Sequence, residues 1–136
     1  MGQIGQGGAS AEVIAGLAQR LRDAHESRVA IDPIRDQLPA GDLDAAYAVQ
    51  QANTDYWVRQ GRRLVGRKIG LTSKAVQAQL GVDQPDYGML FADMSVCDGE
   101  EVPLSRLIQP KVEAEIAFVM ERDLTQPMAT MAELIS

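Results

Sequence analysis

Apolar positions recur at helical spacing in two early stretches of the chain and at alternating spacing in several later ones. Val13, Ile14, Leu17, Ala18 and Leu21 stand three and four residues apart, with Arg20, Arg22 and Asp23 outside that stripe and Ser10 where an N-cap belongs. This spacing predicts an amphipathic packing helix. A second helix is predicted from the cap residue Asp42 to a stop at Gly61, with Ala45, Ala46, Val49, Ala52 and Tyr56 roughly on one side and Trp57 packing near its end. Between them, Pro33 and Pro39 remove donors and bias the residues before them away from helix, so 28–41 reads as loop.

From Arg63 onward, short apolar runs are broken by glycine. Leu64 to Leu71 reads as a strand, and Thr72 as the cap of a short helix ending before Gly81. Tyr87 to Met94 and Val96 to Val102 read as short strands around a Cys97-Asp98-Gly99-Glu100 turn, and Val112 to Met120 has the strongest strand pattern of all. Met128 to Ser136 starts a helix that nothing terminates, so the chain is expected to be truncated or to be completed by other chain. Helices followed by strands give an α+β fold, with a sheet of three or four strands beneath one helix layer. The organisation read from this is a flexible N-terminus at 1–9, a helical part at 10–62 and the start of a β-rich catalytic part at 63–136.

Composition narrows the function classes. The 136 residues are 46% hydrophobic and 24% charged, the balance of one globular domain. Nineteen acidic residues against 13 basic ones give a net charge of −6, without a dense Lys/Arg stripe, so nucleic acid lacks the footprint it needs. No apolar run approaches the ~20 residues of a membrane span, and the Gly/Gln-rich start does not resemble a secretory signal, which predicts a cytoplasmic protein. One cysteine, Cys97, and one histidine, His25, cannot build an internal disulfide or a zinc cluster. A metal here must be held by carboxylates.

Glu113 and Glu115 are the most informative acidic pair. Two apart on a strand, they share a face about 6 to 7 Å apart along the chain, and both can converge on a hard cation that keeps waters or a chelating substrate in its other positions. A solvated acidic strand face gives the same pattern. Lys68 shares its face with Gly66 and Gly70, whose missing side chains leave room for a ligand; the alternative is a lysine that blunts an edge strand. Arg67 falls on the apolar parity and needs a partner or a bulge. Asp86 stands in a proline/glycine turn, as a backbone-bonding residue or as an acid/base group. Thr72 and Ser73 either cap the short helix or help its N-terminus hold a substrate carboxylate. His25 reads as a helix-end residue, and Cys97 has no neighbour in sequence to activate it.

Taken in order, Gly66-Arg67-Lys68-Ile69-Gly70-Leu71-Thr72-Ser73, Leu80 to Gly88, Leu90 to Met94 and Gln109 to Ile116 resemble the 2-keto-4-pentenoate hydratase branch of the fumarylacetoacetate hydrolase superfamily. The resemblance runs from about Leu17 to the last residue. It implies N-terminal helices followed by a mixed β-sheet or roll of that superfamily's type, and a place in bacterial meta-cleavage degradation of aromatic compounds. It implies metal-dependent hydration of 2-hydroxypenta-2,4-dienoate to 4-hydroxy-2-oxopentanoate, with Glu113 and Glu115 as two of three carboxylate ligands to Mg²⁺ or Mn²⁺. In the same terms Lys68 and Asp86 are catalytic, Thr72 and Ser73 bind substrate, and the protein is expected to be a homo-oligomer that can associate with a pathway enzyme. Members are about twice this length, so the 136 residues correspond to an N-terminal half and the third carboxylate is expected beyond Ser136.

Two other readings stay open on the sequence. The sister 4-oxalocrotonate decarboxylases share the Gly-Leu-Thr-Ser and Lys-Val-Glu-Ala-Glu motifs, but they carry an apolar residue where Asp86 stands. A non-catalytic partner subunit would keep the helices and strands without the chemistry. Carbon–carbon hydrolysis ranks below both, because it uses a histidine to activate water and His25 is the one histidine present.

Overall fold

The computed structural model describes residues 8–125 and 129–135, so most of the N-terminal segment predicted to be flexible, and Met128 and Ser136 of the predicted last helix, lie outside the described residues. Helix α1 spans Ala11–Ser27 and α2 spans Leu43–Arg59. Both start as the sequence predicts. The Ser10 hydroxyl accepts from the Val13 N–H at 3.2 Å, and the Asp42 carboxylate from the Ala45 N–H at 2.9 Å, each satisfying a donor that the first turn leaves free. Helix α2 ends at Gly61, whose φ of +88° lets the chain turn back so that the Arg62 N–H reaches the Trp57 carbonyl at 3.0 Å.

The two helices pack on each other through Leu17, Ala18 and Val49, all nearly inaccessible, with Ile14, Leu21 and Ala52 around them. Burial of a leucine such as Leu17 is worth about 1.5–3 kcal/mol. The predicted loop at 28–41 contains one 3₁₀ turn, Ile34–Gln37, because Ile34 and Leu38 have apolar surface to cover and lie against the same core. Arg22 crosses between the helices, donating to Asn53 at 2.7 Å with its guanidinium 4.4 Å from the Tyr56 ring centroid.

Strands β1, Leu64–Gly70, and β2, Asp86–Phe91, form a two-stranded antiparallel sheet with helix α3, Lys74–Leu80, between them. Leu64 pairs with Phe91, Gly66 with Leu90, Lys68 with Gly88 and Gly70 with Asp86, with a register shift between Leu64 and Gly66. The shift lies before Arg67, which still shares a face with Ile69, stands opposite Met89 and remains exposed, so its place on the apolar parity is met by solvent exposure and not by a bulge. A short helix α4 covers Met131–Ile135.

The α+β class holds, but three expected strand features do not. Met94 belongs to a 3₁₀ turn, Ala92–Met94, that ends β2. Val96 to Val102 forms no strand, although the Cys97–Glu100 turn is present, with the Glu100 N–H 3.1 Å from the Cys97 carbonyl. Val112 to Met120 is in no ladder, and Val112, Ile116 and Val119 are 101%, 85% and 98% exposed. A helix satisfies its own backbone, whereas a strand needs a neighbour, and none of the described strands reaches this segment. No described helix is long and apolar enough to cross a membrane.

Candidate functional site

The β1–β2 ladder brings Lys68 and Asp86 to one face. Directly opposed residues of an antiparallel pair share a face, so Lys68, Gly70, Gly88 and Asp86 form a square with charges on one diagonal and glycines on the other. Lys68 and Asp86 are exposed and the glycines half-buried. Asp86 therefore opens a strand instead of sitting in the turn that Pro85 and Gly88 suggest, because its backbone continues the ladder opposite Gly70.

The glycines do leave room, and the charged side chains take it. A Cβ at Gly88 would lie 3.4 Å from Lys68 Cγ; one at Gly70 would collide with Asp86 Oδ1 and lie 3.7 Å from Lys68 Nζ. Both charged ends thus gather over Gly70. An ammonium and a carboxylate side by side at an open sheet face can bind an anionic group and handle a proton next to it.

Three residues, Tyr47, Gln50 and Arg62, hold this strand pair against the helices. Tyr87 stacks on Tyr47 of α2 with ring centroids 4.5 Å apart, and Gln50 donates to the Tyr87 carbonyl at 2.9 Å. At the other end, Arg62 donates to both Asp93 carboxylate oxygens at 2.7 and 2.8 Å, and its guanidinium lies 4.4 Å from the Phe91 ring centroid and 4.9 Å from that of Trp57. The hydrogen bonds from Arg62 hold the Asp93 carboxyl below its ordinary value. His25 packs edge-on to Trp57 at 5.5 Å, and loss of hydration, followed by the nearby Arg28 and Arg62 charges, lowers its pKa. It is the helix-end residue the sequence predicts.

The turn after β1 carries a feature with no sequence signal. Leu71 adopts φ +56°, a left-handed conformation that a non-glycine residue holds only at some cost. Buried Gln77 secures it, donating to the Leu71 carbonyl at 2.6 Å while accepting from Lys74 Nζ at 3.0 Å. Nothing in Lys-Ala-Val-Gln-Ala-Gln-Leu distinguishes Gln77 from Gln79 beforehand. Ser73, not Thr72, is the residue before α3, and its side chain makes no cap bond, so the predicted Thr72 cap is corrected. The Thr72 and Ser73 hydroxyls are exposed just beyond Gly70, at the Asp86 end of the hairpin.

Glu113 and Glu115 are not brought to this face by any described hydrogen bond or ion pair. They lie in the unpaired 111–120 segment with exposed side chains, and among the described residues no group of three His, Cys, Asp or Glu gathers as a metal site would require. The predicted strand that was to present them lacks its ladder. Cys97 is exposed, with its backbone N–H 3.0 Å from the Glu100 carboxylate.

No family model matches the chain. It is 62% identical over 123 residues to a 2-keto-4-pentenoate hydratase of Burkholderia vietnamiensis, covering 90% of this chain and 47% of that protein. It is also 62% identical over 126 residues to 2-keto-4-pentenoate hydratase 1 of Dechloromonas aromatica, covering 93% and 47%. Among solved structures, 4-oxalocrotonate decarboxylase from Pseudomonas putida G7, complexed with magnesium and adipate, superposes with a TM-score of 0.70 at 35% identity, over 74% of this chain and 38% of that one. The chain spans about half the length of the curated relatives it matches.

Proposed function

We propose, taking as premise that the chain is a close sequence relative of the 2-keto-4-pentenoate hydratases, that its protein adds water to 2-hydroxypenta-2,4-dienoate to give 4-hydroxy-2-oxopentanoate, a hydro-lyase reaction of aromatic meta-cleavage. The observation that carries this reading is the Lys68–Asp86 pair over the glycine-floored face. In the reaction the 2-hydroxyl loses its proton as C5 gains one, giving a conjugated 2-oxo-3-enoate; hydroxide from water then bonds to C4 and a proton to C3. Asp86 is the base that positions and deprotonates that water. Lys68 offsets the charge of the bound acid, and the Thr72 and Ser73 hydroxyls meet its carboxylate.

Glu113 and Glu115 are the residues to hold a divalent ion, Mg²⁺ or Mn²⁺. Their all-oxygen chemistry suits such a hard cation, although the described residues supply only this pair. When bound, the ion supplies positive charge against the 2-oxygen of the substrate. The magnesium in the similar decarboxylase structure supports a divalent metal. It also makes decarboxylation of 4-oxalocrotonate the second reading; the higher identity to hydratases supports hydration ahead of it.

The test follows the ultraviolet absorbance of the dienoate with added Mn²⁺ or Mg²⁺, with EDTA, and with Glu113→Gln. Metal-dependent loss that the substitution lowers by about 10²-fold or more is expected, since a lost ligand forfeits several kcal/mol of charge stabilisation. Loss of absorbance indifferent to EDTA and to Glu113→Gln contradicts the metal assignment.

A further inference from the structure

Gly70 and Gly88 share an unusual circumstance for strand glycines. Neither has a left-handed φ, so neither is needed for the backbone, and a glycine inside a strand forfeits side-chain packing and carries extra entropy cost. Each stands directly opposite a charged residue, Gly70 opposite Asp86 and Gly88 opposite Lys68. The demands differ in kind. At Gly88 an added Cβ would meet the Lys68 stem at 3.4 Å, ordinary contact, and at Gly66 it would meet only Leu90 Cδ1 at 3.9 Å. At Gly70 it would take the space of the Asp86 carboxylate itself, with Asp86 Cγ already at 3.4 Å and Lys68 Nζ at 3.7 Å.

We infer that Gly70 is a positioning residue: its missing side chain is the berth that seats the Asp86 carboxylate next to the Lys68 ammonium. The inference rests on the reading of Asp86 as the base of the proposed hydration and adds what sets that base in place. An alanine at 70 suits the backbone, and the atom it meets is the end of a side chain that can rotate. Gly70→Ala therefore leaves the hairpin intact and turns the carboxylate away.

The test compares Gly70→Ala, Gly66→Ala, Asp86→Ala and the Gly70→Ala/Asp86→Ala double variant in the full chain. Two measurements are made, kcat and KM on the dienoate and the Asp86 χ1 rotamer from NMR three-bond couplings, which needs no turnover. Gly70→Ala should change the Asp86 rotamer and lower kcat by about 10²-fold with KM nearly unchanged, the scale of an ångström misplacement at a reacting group. Gly66→Ala, whose added Cβ meets only Leu90, should leave the Asp86 rotamer unchanged. In the double variant, Gly70→Ala should lower kcat no further than Asp86→Ala alone, which general structural damage would not imitate. An unchanged Asp86 rotamer in Gly70→Ala overturns the inference. So does a retained kcat in Gly70→Ala when Asp86→Ala loses it, and this leaves the reading of Asp86 standing. Retained kcat in Asp86→Ala removes that reading and the inference with it.

Discussion

Strand β1 and the segment 112–120 invert the usual expectation. Val112 to Met120 carries the cleaner alternation, with Val112, Ala114, Ile116, Phe118 and Met120 on one parity, yet it is unpaired and exposed. Leu64 to Gly70 contains two glycines and two basic residues, and it forms a ladder along most of its length. The difference lies in the neighbours. Strand β2 is delivered to β1 by α3 and held there by Tyr47, Gln50 and Arg62, whereas no described element arrives beside 112–120. Strand propensity describes fitness for a pleated surface, and it yields a strand only where a partner meets the backbone.

The largest effect that could break this comparison is on the platform beneath the hairpin. Leu17→Ala empties a site that is 3% exposed between α1 and α2 and should cost about 2–4 kcal/mol in urea unfolding. A cost below about 1 kcal/mol would mean the helix pair is not what supports β1 and β2. Next comes the clamp. Arg62→Ala removes a bidentate ion pair and two aromatic contacts and should cost about 1–2 kcal/mol, with faster amide exchange in β2 before the helices are affected.

The acid limb gives a smaller effect. Asp93 has its pKa lowered in the folded protein, so its share of stability is fully present above the unfolded value near 3.8 and is lost as pH falls through the folded value. With Asp93 half exposed, that share is about 0.5 kcal/mol. The stability gap between wild type and Arg62→Ala should narrow by this amount below pH ~4, and a constant gap would place the value of Arg62 in its ring contacts alone. The smallest effect belongs to the unpaired segment. Ile116→Ala should change stability by less than about 0.5 kcal/mol, since its side chain is 85% exposed; a core-sized loss would show that 112–120 is paired in solution.

What could be read from the sequence follows the same division. The helices were legible because cap and stripe are local: Ser10 with Leu17 and Ala18, Asp42 with Val49. The Lys68 strand and its glycines were legible by alternation. The partnership of Gly70 with Asp86 was not, because it depends on register between strands sixteen residues apart, and Pro85 and Gly88 made Asp86 look like a turn residue. Gln77 could not be singled out, since its role depends on the Leu71 carbonyl that a left-handed turn presents to it. The Glu113 and Glu115 spacing presupposes a strand, and the ladder that would make one is absent from the described residues.

The central claim is that the Lys68–Asp86 face carries out hydration, and the most direct measurement is turnover of 2-hydroxypenta-2,4-dienoate and of 4-oxalocrotonate by wild type and Asp86→Ala side by side. The account predicts hydration by the wild type that falls by about 10²–10⁴-fold in Asp86→Ala, the usual contribution of a general base, with far-ultraviolet circular dichroism unchanged. Undiminished hydration in Asp86→Ala, or metal-dependent release of CO₂ from 4-oxalocrotonate without hydration of the dienoate, would contradict it.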